Sequence, residues 1–222
     1  MPADNPSEAV PLAAHTNLAR LLRHEVGDLL QSVYTTVAVL LERLPGGLDL
    51  ERRLLADLKA RAETCKLELD GTVELVTPGH STPAPLDLAA LTAALIEPLR
   101  QRSPALDVSV TTEGDPRIRA DGRALHLALS LLAAAAFQRA RHRLSIAVGG
   151  SDRVVSWALA HDGVPLTAEQ LTWLEEPFRS TRQVMYGLAL AVARRVAEAH
   201  GGAINAAEQP ADGVRVSLTF AR

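Results

Sequence analysis

An apolar stripe with alternating steps of three and four residues constrains the fold of this chain more than any other feature. The members of the stripe are Leu18, Leu22, Val26, Leu29, Val33, Val37, Leu40 and Leu44. Because an α-helix completes a turn in about 3.6 residues, this spacing places the side chains along one face of a single helix. Such a seam is typical of a helix that packs against other helices. The first part of the chain is therefore predicted to be a helix of a bundle.

A second helix is predicted to fold back on the first. Leu44-Pro45-Gly46-Gly47 interrupts the pattern, and apolar residues return at the same spacing from about residue 48 to 76. These residues are Leu55, Leu58, Ala62, Cys65, Leu69, Val73 and Val76. Residues 16–77 are thus expected to form an antiparallel helical hairpin. Since two helices cannot cover both of their own stripes, two copies are expected to pair as a homodimer with a four-helix bundle.

Beyond the hairpin the pattern changes to alternating helices and strands. Residues 1–15 are expected to be a flexible terminus, 78–85 a proline-containing linker, and 86–222 a second domain. Helices are predicted from Asp87 to about Arg100, with Pro98 bending or ending the first one early, from 121 to 141, and from 187 to 200. Strands are predicted at 106–111, 117–120, 144–148, 154–160, 203–207 and 214–220. This order predicts an α+β fold with one mixed sheet and helices on one face.

Composition excludes several classes of function. The net charge is −3, and Lys59 and Lys66 are the only lysines, so nucleic acid is not an expected partner. No apolar run is long enough for a membrane span and the first residues carry no secretion signal, so a cytoplasmic location is expected. The single Cys65 excludes an internal disulfide and is expected to be a small buried residue of the second helix.

The dipeptide His24-Glu25 is the candidate reactive site. At 100° per residue, His24 lies about 200° around the helix from Leu22, so its ring is expected to face solvent, away from the seam. A neutral imidazole is a competent nucleophile near pH 7, and a neighbouring carboxylate can keep one ring nitrogen protonated. By itself the pair also fits an ordinary solvated surface histidine beside a solvated glutamate.

Further motifs follow His24-Glu25 in a fixed order. They are Asp121 with Leu125 at the start of an alanine-rich helix, Glu176-Pro177-Phe178, and Gly187-Leu188-Ala189-Leu190-Ala191 running on to Glu198-Ala199-His200-Gly201-Gly202. From about residue 16 to 222 the chain resembles the catalytic core of bacterial sensor histidine kinases. In that family a dimeric phosphoacceptor hairpin precedes an ATP-binding α/β sandwich of the gyrase, Hsp90, kinase and MutL (GHKL) type. The resemblance implies that His24 is the phosphoacceptor and that Glu25 orients its ring.

The sequence departs from this family at the nucleotide site. Two asparagines that face the nucleotide and its magnesium ion correspond here to Leu131 and Ala135, which have no side-chain oxygen to offer a metal ion. The aspartate that binds adenine corresponds to His161, and Asp162 could replace it only by a one-residue slip at His161-Asp162-Gly163. Of the three glycines in the second glycine box, Gly187 alone remains. We expect a domain of the same fold that binds neither ATP nor a metal ion.

The expected function is a histidine phosphotransferase of a two-component phosphorelay. His24 would accept a phosphoryl group from the aspartate of a response-regulator receiver domain, which supplies its own magnesium ion, and pass it to another receiver. Asp28, one helical turn after His24, stands where the family often has threonine or asparagine. Its carboxylate could pair with the protonated His24 ring, but its charge would repel an incoming phosphoryl group. Gly27 either permits the close approach of a partner or has no role.

Two alternatives remain open from the sequence. The first is an unconventional histidine kinase with a rearranged ATP site that uses Asp162, Gly163 and Gly187. The second is a non-enzymatic dimer that binds and sequesters a response regulator. Nucleotide titration separates the first from a phosphotransferase, and detection of phosphohistidine separates the second.

Overall fold

The structure, a computed structural model, describes residues 12–79, 82–165, 184–209 and 213–222. The chain divides into two compact units, Met1–Pro78 and Gly79–Arg222. The first unit is a helical hairpin of α1 (Leu12–Arg43) and α2 (Asp49–Val76). Residues 12–15, expected to be flexible, are helical. None of the helices in the described ranges is long and apolar enough to cross a membrane.

The face of α1 that packs on α2 coincides with the predicted seam only in part. The less exposed residues of the second half of α1 and the residue after its end are Leu30, Val33, Tyr34, Val37, Ala38, Leu41 and Leu44. Val33, Val37 and Leu44 belong to the predicted seam, and Val37 is 3% exposed, whereas Leu18, Leu22, Val26, Leu29 and Leu40 of the same seam are 36–63% exposed. The apolar surface of α1 is therefore wider than the part that α2 covers, and five residues of the predicted seam stay exposed in the single chain.

Helix α2 has a similar excess of exposed apolar residues. Leu50, Leu54 and Leu58 are 46–67% exposed in the single chain. Cys65 is exposed as well, so the expectation of a buried cysteine is wrong for the isolated hairpin. The physical reason is the one that applies to α1: one neighbouring helix can cover only part of the circumference of another.

The second unit confirms the predicted α+β fold. Its elements in chain order are β1 (Ala84–Asp87), α3 (Leu88–Arg102), β2 (Asp107–Gly114), β3 (Arg117–Ala120), α4 (Gly122–Arg139), β4 (Arg143–Gly150), β5 (Val154–His161), α5 (Val184–Ala199), β6 (Ala203–Gln209) and β7 (Gly213–Ala221). The strands form a five-stranded sheet in the order β2-β4-β5-β7-β6 and a two-stranded sheet of β1 and β3. Strand β2 is parallel to β4, and the other pairs are antiparallel.

Three details of the prediction for this unit are wrong. The strands form two sheets rather than one, because β3 pairs with β1 and not with the main sheet. Strand β1 includes Ala84 and Pro85, which had been assigned to the linker. Helix α3 continues past Pro98 to Arg102. Burial of Ile96, 2% exposed, keeps this part of the helix packed although proline cannot donate the backbone hydrogen bond.

The core of the second unit lies on one face of the main sheet, under the helices. Alternate residues of β4, β5 and β7 are buried, including Ile146, Trp157 and Leu218, as expected for strands with one covered face. Trp157 donates a hydrogen bond from Nε1 to Oγ1 of Thr92 on α3, over 3.1 Å. Helix α4 begins at an N-cap, Asp121, whose carboxylate accepts from the backbone N–H groups of the first turn.

Candidate functional site

His24 lies on the exposed surface of α1, as the helical spacing predicts. Its side chain is 72% exposed, and its Nδ1 atom lies 2.8 Å from Oδ2 of Asp28, one turn further along the helix. Residues four apart share a helix face, whereas neighbours in sequence do not. The contact with Asp28 uses Nδ1, so Nε2 takes no part in it.

The surroundings of His24 favour its protonated form. A hydrogen bond to its own backbone, the Asp28 carboxylate and then the charge of Glu25 raise the pKa of His24 above the usual value for histidine. The neutral ring, which is the nucleophilic form, therefore predominates only above this raised pKa.

Glu25 and Gly27 make few contacts in the hairpin. Within the described part of the chain Glu25 forms no hydrogen bond or ion pair with His24, and it acts on the ring only through its charge. A Cβ atom built on Gly27 would meet nothing within 4 Å. Packing within one chain therefore does not require glycine at this position, although glycine costs a helix about 1 kcal/mol relative to alanine.

The positions aligned with the nucleotide-binding asparagines lie inside the second unit. Leu131 is fully buried and Ala135 is 2% exposed, both on α4. Neither side chain carries an oxygen or nitrogen atom. These two positions offer no ligand to magnesium, which binds oxygen atoms in a nearly octahedral arrangement. Across the described ranges, no group of three or more histidine, cysteine, aspartate or glutamate side chains could hold a metal ion.

The carboxylate of Asp162 accepts hydrogen bonds from the backbone of the segment between α4 and β4. Its Oδ1 accepts hydrogen bonds from the N–H groups of Arg141 and His142 at 2.9 and 3.1 Å, and its Oδ2 accepts from His142 at 3.0 Å. Desolvation raises the pKa of Asp162, but hydrogen bonds with the backbone outweigh it and hold the pKa well below its usual range. Asp162 thus anchors a loop.

His161 is a buried core residue. It is 4% exposed, its Nδ1 accepts a hydrogen bond from the backbone N–H of Gly163 over 3.1 Å, and its ring meets Tyr186 edge-on with the centroids 6.4 Å apart. The Arg139 guanidinium lies 5.1 Å from the centroid of Tyr186. Burial, and then the charge of Arg139, lower the pKa of His161 to about 4. The ring is therefore neutral near pH 7.

The two remaining glycines of the nucleotide motifs are also packed into the fold. A Cβ atom on Gly163 would lie 2.1 Å from the carbonyl oxygen of Arg139, so the absence of a side chain permits close packing of two backbone segments. Gly187 is buried within α5, between the buried residues Met185 and Ala189. Glu176-Pro177-Phe178 lies outside the described residues.

The contact of Asp28 with the His24 ring agrees with the spacing of four residues, which allows the two side chains to pair. One feature of the site was missed by reasoning from the sequence. It is the cluster of His161, Tyr186 and Arg139, whose members come from three different elements and have no signal in sequence spacing.

Comparison with known proteins identifies the family of the second unit and relatives that cover most of this chain. Residues 120–222 match the family described as histidine kinase-, DNA gyrase B-, and HSP90-like ATPase. The sensor histidine kinase ZraS of Klebsiella oxytoca is 31% identical over 209 residues, which are 91% of this chain and 45% of ZraS. The adaptive-response sensory kinase SasA of Synechococcus sp. (strain CC9902) is 28% identical, over 93% of this chain and 56% of SasA. The chain spans about half the length of the curated relatives it matches.

Solved structures show the same fold. The catalytic domain of histidine kinase ThkA superposes with a TM-score of 0.57 at 20% identity, over 62% of this chain and 96% of that domain. Full-length ShkA in complex with AMPPNP gives a TM-score of 0.67 at 18% identity, over 95% of this chain and 46% of ShkA. Residues 120–222 thus form a domain of the histidine kinase-, DNA gyrase B- and HSP90-like ATPase family, and the chain is homologous to the sensor histidine kinases.

Proposed function

We propose that this chain is a histidine phosphotransferase that receives a phosphoryl group on His24 from a receiver-domain aspartate and passes it to another receiver without using ATP. The observation that supports this proposal is a contrast between two sites. The side chain of His24 is 72% exposed, whereas Leu131, Ala135 and His161, which the resemblance assigns to the nucleotide site, are buried in the second unit.

The proposed phosphoryl transfer requires few catalytic groups from this chain. The Nε2–P bond forms as the P–O bond to the receiver aspartate breaks, and the electron pair of that bond remains on the receiver carboxylate. Phosphoryl transfer passes through a loose transition state, so catalysis consists mainly of alignment and charge neutralisation. The receiver brings its own magnesium ion, and the hairpin contributes a nucleophile held on a rigid helix.

The chemistry of three positions supports this proposal over nucleotide binding. The apolar side chains of Leu131 and Ala135 replace the oxygen ligands of a phosphate-bound magnesium ion. Asp162 would have to give up its backbone hydrogen bonds to accept one from adenine. Gly163 lies against the backbone of Arg139. A site for ATP would thus require rearrangement at three places within one compact core.

A second candidate function is a histidine kinase with a rearranged ATP site. The family relationship favours it, since the relatives ZraS and SasA are named as kinases and ShkA is in complex with AMPPNP. In this alternative ATP, rather than a receiver, supplies the phosphoryl group to His24. A third candidate is a dimer that sequesters a response regulator without phosphorylation.

We further propose that two chains pair through the uncovered apolar faces of the hairpin. Leu18, Leu22, Leu29 and Leu40 on α1 and Leu50, Leu54 and Leu58 on α2 are 45–67% exposed in the single chain. Pairing of two hairpins into a four-helix bundle removes these side chains from water, and burial contributes about 25 cal/mol per Å² of apolar surface.

The test of the main proposal compares two phosphoryl donors. The purified chain is incubated separately with radiolabelled ATP and with a panel of receiver domains that were phosphorylated with labelled acetyl phosphate and then desalted. We expect an acid-labile, base-stable adduct from at least one phospho-receiver and none from ATP. His24→Ala should abolish it, and His126→Ala, at another exposed histidine, should not.

Other outcomes of this test contradict the proposal. Labelling of His24 by ATP would establish the kinase alternative. No labelling from either donor, combined with stable binding of a receiver, would favour the sequestering dimer. Equal labelling of the wild-type chain and of His24→Ala would show that His24 is not the phosphoacceptor.

A further inference from the structure

We propose that Asp28, rather than Glu25, is the positioning residue for His24: it keeps the proton on Nδ1 and leaves the lone pair on Nε2 for attack on phosphorus. This inference rests on the phosphotransferase function proposed above. It assigns Asp28 a role different from the repulsion expected from its charge alone.

The geometry distinguishes the two carboxylates. Oδ2 of Asp28 lies 2.8 Å from Nδ1 of His24, within the range of a charge-assisted hydrogen bond. Glu25 is displaced by about 100° around the helix, so its carboxylate does not share the face of the ring that Asp28 occupies. Among the residues that the structure describes, Asp28 is the side-chain hydrogen-bond partner of the ring.

A carboxylate partner determines which nitrogen carries the proton. An ionised carboxylate only accepts hydrogen bonds, so the nitrogen facing Asp28 must be Nδ1–H. A neutral imidazole has one N–H, and its other nitrogen, Nε2, therefore holds the lone pair. Without Asp28 the ring would keep only the hydrogen bond to its own backbone, and the other neutral tautomer, which has no lone pair on Nε2, would become more populated.

The contact between Asp28 and His24 also affects the phosphorylated form of the His24 ring. Attack by Nε2 leaves the Nδ1 proton in place, and the ring acquires a positive charge as the P–O electron pair stays on the receiver carboxylate. The carboxylate of Asp28 lies beside that charge. The phosphoryl group itself is on the opposite nitrogen, so the ring separates it from Asp28, which limits the repulsion between them.

Nitrogen-15 NMR of the histidine side chains tests the inference without a phosphoryl donor. The chain has seven histidines, and comparison with His24→Gln identifies the signals of His24. We expect the neutral His24 ring of the wild-type protein to be mainly the Nδ1–H tautomer. Asp28→Ala should move it toward Nε2–H, and Asp28→Asn, which keeps an acceptor oxygen, should partly restore the Nδ1–H form. Glu25→Gln should leave the tautomer unchanged.

Rates of transfer from a phospho-receiver give the second readout. Surface pairs of this spacing shift an equilibrium by about twofold, so we expect Asp28→Ala to reduce transfer at least about twofold, with unchanged helicity by circular dichroism. Glu25→Gln should have a smaller effect. A tautomer that responds to Glu25→Gln and not to Asp28→Ala would overturn the inference.

The outcomes also separate this inference from the proposed function. If Asp28→Ala changes the tautomer but no receiver transfers a phosphoryl group to the wild-type chain, the positioning by Asp28 stands and the phosphotransferase function falls. If transfer occurs and neither the tautomer nor the rate depends on Asp28, the function stands and the role of Asp28 is refuted.

Discussion

In the hairpin, Leu18, Leu22 and Leu29 are 45–63% exposed, whereas Leu129, Leu131 and Leu132 on α4 of the second unit are at most 2% exposed. Both helices are rich in leucine, so residue type alone does not explain the difference. Within its own unit, α4 packs against α3, α5 and the sheet, whereas α1 packs against α2. The second unit therefore buries its leucines within its own fold, and the proposed pairing of two hairpins would cover those of α1.

Two histidines show the same contrast in electrostatics. His24 is exposed beside a carboxylate, which favours the charged ring, and its pKa is raised. His161 is buried near a guanidinium, which disfavours the charged ring, and its pKa is lowered to about 4. The first ring is accessible to a partner and the second is part of a core, although both are histidines at motif positions of the same family.

The largest effect on stability is expected in the core of the second unit. Trp157 is 1% exposed and lies opposite Val148 and Leu218 on the neighbouring strands. Trp157→Ala should lower the free energy of unfolding by about 3–5 kcal/mol because it leaves a cavity and removes the hydrogen bond to Thr92. Urea titration followed by circular dichroism measures it. Val154→Ala, at a 41% exposed position of the same strand, should cost about 0.5 kcal/mol.

A charge on the uncovered face of α1 should dissociate the proposed dimer. Leu40 is 46% exposed in the single chain, and Leu40→Asp places a carboxylate twice in the interface between two copies. We expect the dimer dissociation constant to rise about a hundredfold, which corresponds to about 2.7 kcal/mol. Analytical ultracentrifugation measures it, with Thr35→Asp outside the stripe as the control. A wild-type chain that stays monomeric at micromolar concentration would refute the dimer.

Stability of the second unit should fall between about pH 6.5 and pH 4. The pKa of His161 is about 4 in the folded protein and 6.5 as the reference value, so the unfolded chain binds a proton first as the pH decreases. The stability present above pH 6.5 is then lost progressively, on the order of 3 kcal/mol in total.

The variant His161→Asn isolates this contribution. Asparagine retains an acceptor for the N–H of Gly163 but does not titrate. Its stability should vary less with pH across this window, as measured by thermal unfolding at several pH values. The lowered pKa of Asp162 affects stability only in more acidic solution, because its reference value is 3.8. An equally steep profile in His161→Asn would contradict this account.

The smallest predicted effect compares two helix caps. Asp87 and Asp121 each accept two backbone hydrogen bonds of 2.9 and 3.0 Å at the start of α3 and α4. Replacement of either by alanine should cost about 1 kcal/mol, with the greater loss for Asp121, which is 6% exposed. A larger loss for Asp87→Ala in urea titrations would contradict the role of burial.

Local signals in the sequence were sufficient for the order of the described elements from α3 onward, but not for β1. Alternation of apolar residues predicted β4, β5 and β7, and Asp87 and Asp121 were recognisable caps, because these patterns reflect interactions within one helix turn or one strand. The exposed position of His24 followed from helical geometry alone. The pairing of β1 with β3 did not, since these strands are separated by a helix and another strand.

The sequence by itself determined that the chain has a helical hairpin with an apolar stripe on each helix, a separate α+β unit with the order of a GHKL domain, and an exposed histidine. The tertiary structure alone decided which face of α1 meets α2, that Asp162 anchors a loop, and that His161 lies against Tyr186 near Arg139. The physical reason is the range of the interactions. Helix periodicity and capping act within a few residues, whereas burial, desolvation and the choice of hydrogen-bond partner depend on groups that are brought together only by the fold.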